Sequence, residues 1–185
     1  MAYEVPALGT AGQVYTAAAH NIIVHDILAF RSIQNRFATA RRTSGNLTLN
    51  STNWADANTA LDLTLNAAVG DVIEFSLSAL SANEAVILML DAVTVVAGSP
   101  VTSFCTGSAV VAATTEGVQA WYSPASVTSN LAGVAFLTLG AGDVSGGTVV
   151  LRLRYRTASA TNKGLVALAN NPLVVAAKNL GPVTT

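Results

Sequence analysis

The chain has 185 residues and a formal net charge of −1. Only 10% of it is charged, against roughly 25% in ordinary soluble domains, while 51% is apolar. That balance argues against a nucleic-acid binder held by phosphate contacts, and the single cysteine, Cys105, rules out an internal disulfide.

A chain of this length suggests one domain, or one domain with an appendage, and a core large enough to need no disulfide or structural metal. The longest apolar run, Ala85 to Ala97, is interrupted by Asp91 and falls short of the roughly 18 residues a membrane helix needs. The opening Met-Ala-Tyr-Glu-Val-Pro lacks the basic and apolar regions of a signal peptide, so a cytoplasmic origin and no membrane partner are expected. So little charge on so apolar a chain points to burial against copies of itself or a larger assembly.

Residues 1–15 carry Pro6, Gly9 and Gly12 without periodicity, and read as an extended arm. Thr16 is a suitable N-cap, because its hydroxyl can accept from an unpaired first-turn N–H, and Ala17, Ala18 and Ala19 favour a helix. Ile23, Ile27, Phe30 and Phe37 follow at spacings that Gln34 completes into a short heptad seam, predicting one amphipathic helix over 16–37. Its length would be about 30 Å, too short to be stable alone in water, so it must pack on something: its own β domain or other copies. Residues 38–45 lose the apolar pattern and read as a linker. Arg31, Arg36, Arg41 and Arg42 gather around the helix end, where they either offset its dipole along a solvated linker or dock on an acidic protein surface.

From residue 46 to 185 the pattern changes to strands. Leu61, Leu63 and Leu65 alternate with Asp62 and Thr64, as Ile73, Phe75 and Leu77 do with Glu74 and Ser76. Ala85 to Ala97 suits one long central strand, or two joined at Asp91. In Thr148 to Arg156, Val149, Leu151, Leu153 and Tyr155 face one side and Arg152, Arg154 and Arg156 the other, as an exposed or interface-facing ladder. Leu131 to Leu139, Leu165 to Leu168 and Leu173 to Ala177 add further strands. About eight strands with polar turns and no alternating helices predict a mainly β fold, a jelly-roll-like sandwich preceded by the arm and helix. Residues 98–130, with Pro100, Trp121, Tyr122 and Pro124, read as a long connection, where ligand contacts often sit.

Few residues here carry chemistry. His20 and His25 stand five apart on the helix, rotated by roughly 140°, and cannot hold one metal within a chain. Asp71 and Glu74 face opposite sides of a strand. Asp91, inside its apolar run, is either a satisfied buried carboxylate or a strand-breaking turn. Gly140 to Gly147 lacks the Lys-Ser/Thr ending of a phosphate loop and reads as a hairpin turn. Trp54, Trp121 and Tyr122 serve either as core or interface anchors or as a platform for sugar. No enzyme, no cofactor and no metal site is expected.

The stretch Thr10 to Asn21 (Thr-Ala-Gly-Gln-Val-Tyr-Thr-Ala-Ala-Ala-His-Asn) resembles the opening of many tailed-bacteriophage virion proteins. Asn171-Pro-Leu and Lys178-Asn-Leu-Gly-Pro resemble the ends of phage head or tail surface proteins. Ala19 and His20 depart from the more polar residues of that pattern. The resemblance implies a capsid decoration or minor capsid protein, homotrimeric and held to the particle by its N-terminal part, with the major capsid protein or other virion proteins as partners. On that reading Ile23, Ile27, Phe30, Gln34 and Phe37 form the oligomer interface. Tyr3, Val5, Leu8, Val14, Tyr15, Arg31 and Arg36 attach to the particle. A receptor- or glycan-binding module of a tail or fibre, with Trp121 and Tyr122 as ligand loop, is the rival expectation.

Overall fold

The computed structural model describes residues 21–22, 24–25, 27, 35–82, 84–105 and 121–182. The chain divides into two units, residues 1–35 and 36–185. In the first, Asn21, Ile22, Val24, His25 and Ile27 are helical. The arm residues Tyr3, Val5, Leu8, Val14 and Tyr15, the cap Thr16, and Ile23, Phe30, Arg31 and Gln34 lie outside the described residues.

The second unit is mainly β, with antiparallel strands in two sheets that form a sandwich. In chain order the strands are β1 (Phe37–Arg42), β2 (Leu47–Leu49), β3 (Ala55–Asp56), β4 (Leu63–Asn66), β5 (Asp71–Ser81), β6 (Leu88–Val96), β7 (Ser99–Ser103), β8 (Trp121–Ser123), β9 (Asn130–Thr138), β10 (Thr148–Thr157), β11 (Lys163–Val166) and β12 (Leu173–Pro182). One sheet, called A, runs β1-β12-β5-β11-β2, with β9 on the other side of β5. The other, B, runs β3-β10-β6-β7, with β4 also on β10 and β8 on β6.

The alternation read from the sequence places the core. Ile73, Phe75 and Leu77 of β5 and Leu131 and Leu137 of β9 point inward from sheet A. Leu88 and Leu90 of β6 and Val149, Leu151, Leu153 and Tyr155 of β10 meet them from sheet B. Phe75 is fully buried, with ring centroids 5.7 Å from Phe104 and 5.8 Å from Trp121. Burying a side chain of that size is worth roughly 1.5–3 kcal/mol. Asn179 closes the sandwich where β12 bulges: its Nδ2 donates to Asp71 Oδ2 at 2.7 Å, and its Oδ1 accepts from Gly181 N at 2.7 Å.

Several expectations are corrected. The helix does not reach Phe37, because Asn35 takes left-handed backbone (φ 63°) and the chain enters β1 two residues later. The linker expected over 38–45 is mostly β1, whose alternating exposure comes from small Ala38 and Ala40 turned toward the core. Leu61 belongs to a short 3-10 turn, Thr59–Leu61, whose cap Asn58 accepts from Ala60 N through Oδ1 at 2.8 Å. The long connection over 98–130 contains β7 and β8. β6 runs unbroken through Asp91. The turn over 140–147 joins β9 of sheet A to β10 of sheet B, so it arches between sheets and is not a hairpin. Asp143 Oδ2 there accepts from Gly140 N at 2.7 Å, and Gly146 and Gly147 take φ of 58° and 77°.

Candidate functional site

Two surfaces of the sandwich carry the chemistry that the described residues offer. The first is the outer face of sheet B. Strand register puts Asp56 of β3, Arg154 of β10 and Asp91 of β6 in one row, with Arg152 opposite Val93 and Arg156 opposite Met89. The arginine ladder is neither exposed nor open to an acidic partner. Arg152 Nη2 stands 2.6 Å from Asp62 Oδ2, and its Nη1 2.9 Å from Asp56 Oδ2. Arg154 Nη2 donates to the Trp54 carbonyl at 2.9 Å, and the Arg156 guanidinium lies 5.5 Å from the centre of the Trp54 ring. Hydrogen bonding to Asp62 holds Arg152 above its usual pKa, whereas burial pulls Arg154 below its own.

Asp91 is the satisfied buried carboxylate. It is buried, and its Oδ2 accepts from Ser103 Oγ at 2.6 Å. Its Oδ1 accepts from Cys105 N at 3.2 Å and from Cys105 Sγ at 2.9 Å. Burial raises its pKa above 3.8, an effect those hydrogen bonds partly offset. Among the described residues, no group of three or more His, Cys, Asp or Glu side chains is arranged to hold a metal ion.

Lys163 was missed in the sequence. It opens β11 fully buried, with Nζ donating to the Pro124 carbonyl at 3.2 Å, and burial lowers its pKa. A lysine flanked by Asn162 and Gly164 gives no sign of such burial.

The second surface is the outer face of sheet A. Its rows cross four strands in register: Phe37, Lys178, Glu74 and Phe136; then Thr39, Ala176, Ser76 and Val134; then Arg41, Val174, Ser78 and Ala132. Phe37 is 63% exposed, Phe136 56% and Val134 52%. Exposed Phe37 therefore stands at one end of this face and Val134 and Phe136 at the other, with Lys178 and Glu74 between them.

The other predicted site residues fall as follows. Ile27 is helical and 49% exposed. Phe37 lies on β1 and not on a helical seam. Arg36 is half-buried on the sandwich; its carbonyl accepts from Asn179 N at 2.7 Å and its guanidinium lies over Gly181. Trp121 is buried in the core on β8, and only Tyr122, at 47% exposure, faces outward. The structure therefore does not bring Trp121 and Tyr122 together as a stacking platform.

No protein-family model matches this sequence, and no curated protein is significantly similar to it.

Proposed function

We propose that this chain is a structural protein of a phage virion, a capsid decoration or minor capsid protein that acts by adhesion. On this reading it is assembled in the host cytoplasm and self-associates as a homotrimer through the helix carrying Ile27. Its N-terminal unit binds the major capsid protein or another virion protein, and its sandwich is of the jelly-roll kind. No reaction, cofactor, membrane or nucleic acid enters this function. Support for the jelly roll is the repeated passage of the chain between sheets, from β4 to β5 to β6 and from β8 to β9 to β10.

The observation that carries the proposal is the outer face of sheet A. Phe37, Val134 and Phe136 stand more than half exposed on a chain that is only 10% charged. Large apolar side chains left exposed at both ends of a sheet face, as here, suit a protein covered by neighbours. The opening from Thr10 to Asn21 supplies the link to virions.

Immunogold labelling of particles from the organism that encodes the chain tests the location. Label on particles is expected, and label confined to cell debris would overturn the reading. Ile27→Asp tests the helix: light scattering should show the trimer lost while the β-sheet circular dichroism persists.

A further inference from the structure

We propose that β9 is a homotypic docking edge: Asn130–Thr138 pairs antiparallel with the β9 of a second copy, joining two A sheets into one. The idea shares with the proposed function only the premise of self-association, and it concerns a different surface from the helix.

Backbone direction shows which groups are available. Leu139 N donates to Asp71 O at 2.8 Å, and Ser81 N donates to Ser129 O at 2.9 Å. Residues 129 and 139 therefore turn their peptide groups toward β5, and by the strand's two-residue period so do Leu131, Gly133, Ala135 and Leu137. The N–H and C=O groups of Asn130, Ala132, Val134, Phe136 and Thr138 point the other way. Among the described strands β9 pairs with β5 alone, and no described strand takes this second edge.

The remaining strands that end a sheet are guarded or short. β1 carries Arg41 and Arg42, and β7 contains Pro100. β2 and β8 have three residues each, β3 has two and β4, paired with β10 alone, has four. β9 has nine residues, Asn-Leu-Ala-Gly-Val-Ala-Phe-Leu-Thr, with no charge and no proline, and it pairs with β5 without a bulge. A long, uncharged edge without a bulge is a template for another strand.

The sequence of β9 also fits itself. A two-fold axis through Val134 sets Val134 against Val134 of the second copy. Phe136 then faces Ala132, large against small, and Thr138 faces Asn130, polar against polar. Each of these residues presents its peptide group outward, so the pairing would form on the order of ten backbone hydrogen bonds. It would also set the exposed Val134 side chains of the two copies side by side, and each Phe136 beside Ala132 of the second copy. Both strands are neutral, so no repulsion opposes the approach, and a two-fold contact uses each edge once and closes.

The test uses the full chain carrying Ile27→Asp, which removes the helix seam and leaves β9 intact. Sedimentation velocity should show a concentration-dependent dimer, and adding Val134→Lys or, separately, Phe136→Lys should return it to monomer. Amide exchange gives the second readout. Protection of Ala132, Val134, Phe136 and Thr138 should rise at least tenfold with concentration, while Leu131, Gly133, Ala135 and Leu137 stay protected throughout and report that the sandwich is folded. A monomer whose outward amides exchange rapidly at every concentration would overturn the proposal. So would protected outward amides in a monomer, or an oligomer indifferent to both lysines. A β9 dimer together with unlabelled particles would retain this inference and remove the virion reading.

Discussion

Arg154 of β10 lies opposite Asp91 of β6, yet burial moves both toward their neutral forms: the guanidinium down, the carboxyl up. Desolvation therefore outweighs the attraction available across this row.

That balance fixes the sign of a pH dependence. The folded pKa of Asp91 lies above the 3.8 of an unperturbed aspartate, so between those values the folded chain binds more protons than the unfolded one. The contribution to stability is fully present below pH 3.8 and is lost as pH rises through the folded value. Urea unfolding of the wild type and Asp91→Asn across acid pH should show the wild type losing ground to the variant as pH climbs. A difference that moves the other way would mean a depressed carboxyl.

Arg152 binds two acids of unequal value. The Asp62 side chain is 19% exposed and accepts from Nε and Nη2, whereas that of Asp56 is 41% exposed. Solvent screens the second pair more. Asp62→Asn should cost about 1–2 kcal/mol and Asp56→Asn less than about 0.5 kcal/mol by urea unfolding. Equal losses would show that Asp56 is as well shielded as Asp62.

Lys163 fills core-like space with a charge that one carbonyl accepts. Lys163→Met keeps the volume and removes the desolvation penalty, so stability should hold or rise by about 1 kcal/mol. Lys163→Ala leaves a cavity and should lose about 2–4 kcal/mol. Thermal melts of the two variants separate packing from charge, and equal losses would assign the role to the ammonium group.

Gly133 sits where a Cβ would stand 3.0 Å from Trp121 Nε1. Gly133→Ala should cost about 1–3 kcal/mol through overpacking and shift the Trp121 fluorescence. Unchanged stability would mean that the indole moves aside freely.

Strands whose large apolar residues alternate were legible in the sequence: Ile73-Phe75-Leu77 and Val149 to Tyr155 lie as the period of two requires. β1 was not, because its inward residues are alanines and its partner β12 lies at the far end of the chain. Asp91 was legible as a buried acid, since an apolar run surrounds it; Ser103 and Cys105, which satisfy it, come from the following turn and strand end. The face of the arginine ladder was legible, but its partners were not. Its neutralising acids, Asp56 and Asp62, sit about 90 residues earlier, and only the β3 and β4 pairings bring them back. Spacing along a strand reports which face a residue takes, not what covers that face.

Phe37 pairs with Lys178, so the first strand of the sandwich hydrogen-bonds to the last. During synthesis β1 leaves the ribosome well before its partner exists, and sheet A cannot be completed until the C-terminal strand has emerged. Until then the nascent chain exposes β1 and one side of β5 together. A truncation before Leu173 would deprive both strands of β12, leaving the opening strand with nothing to pair.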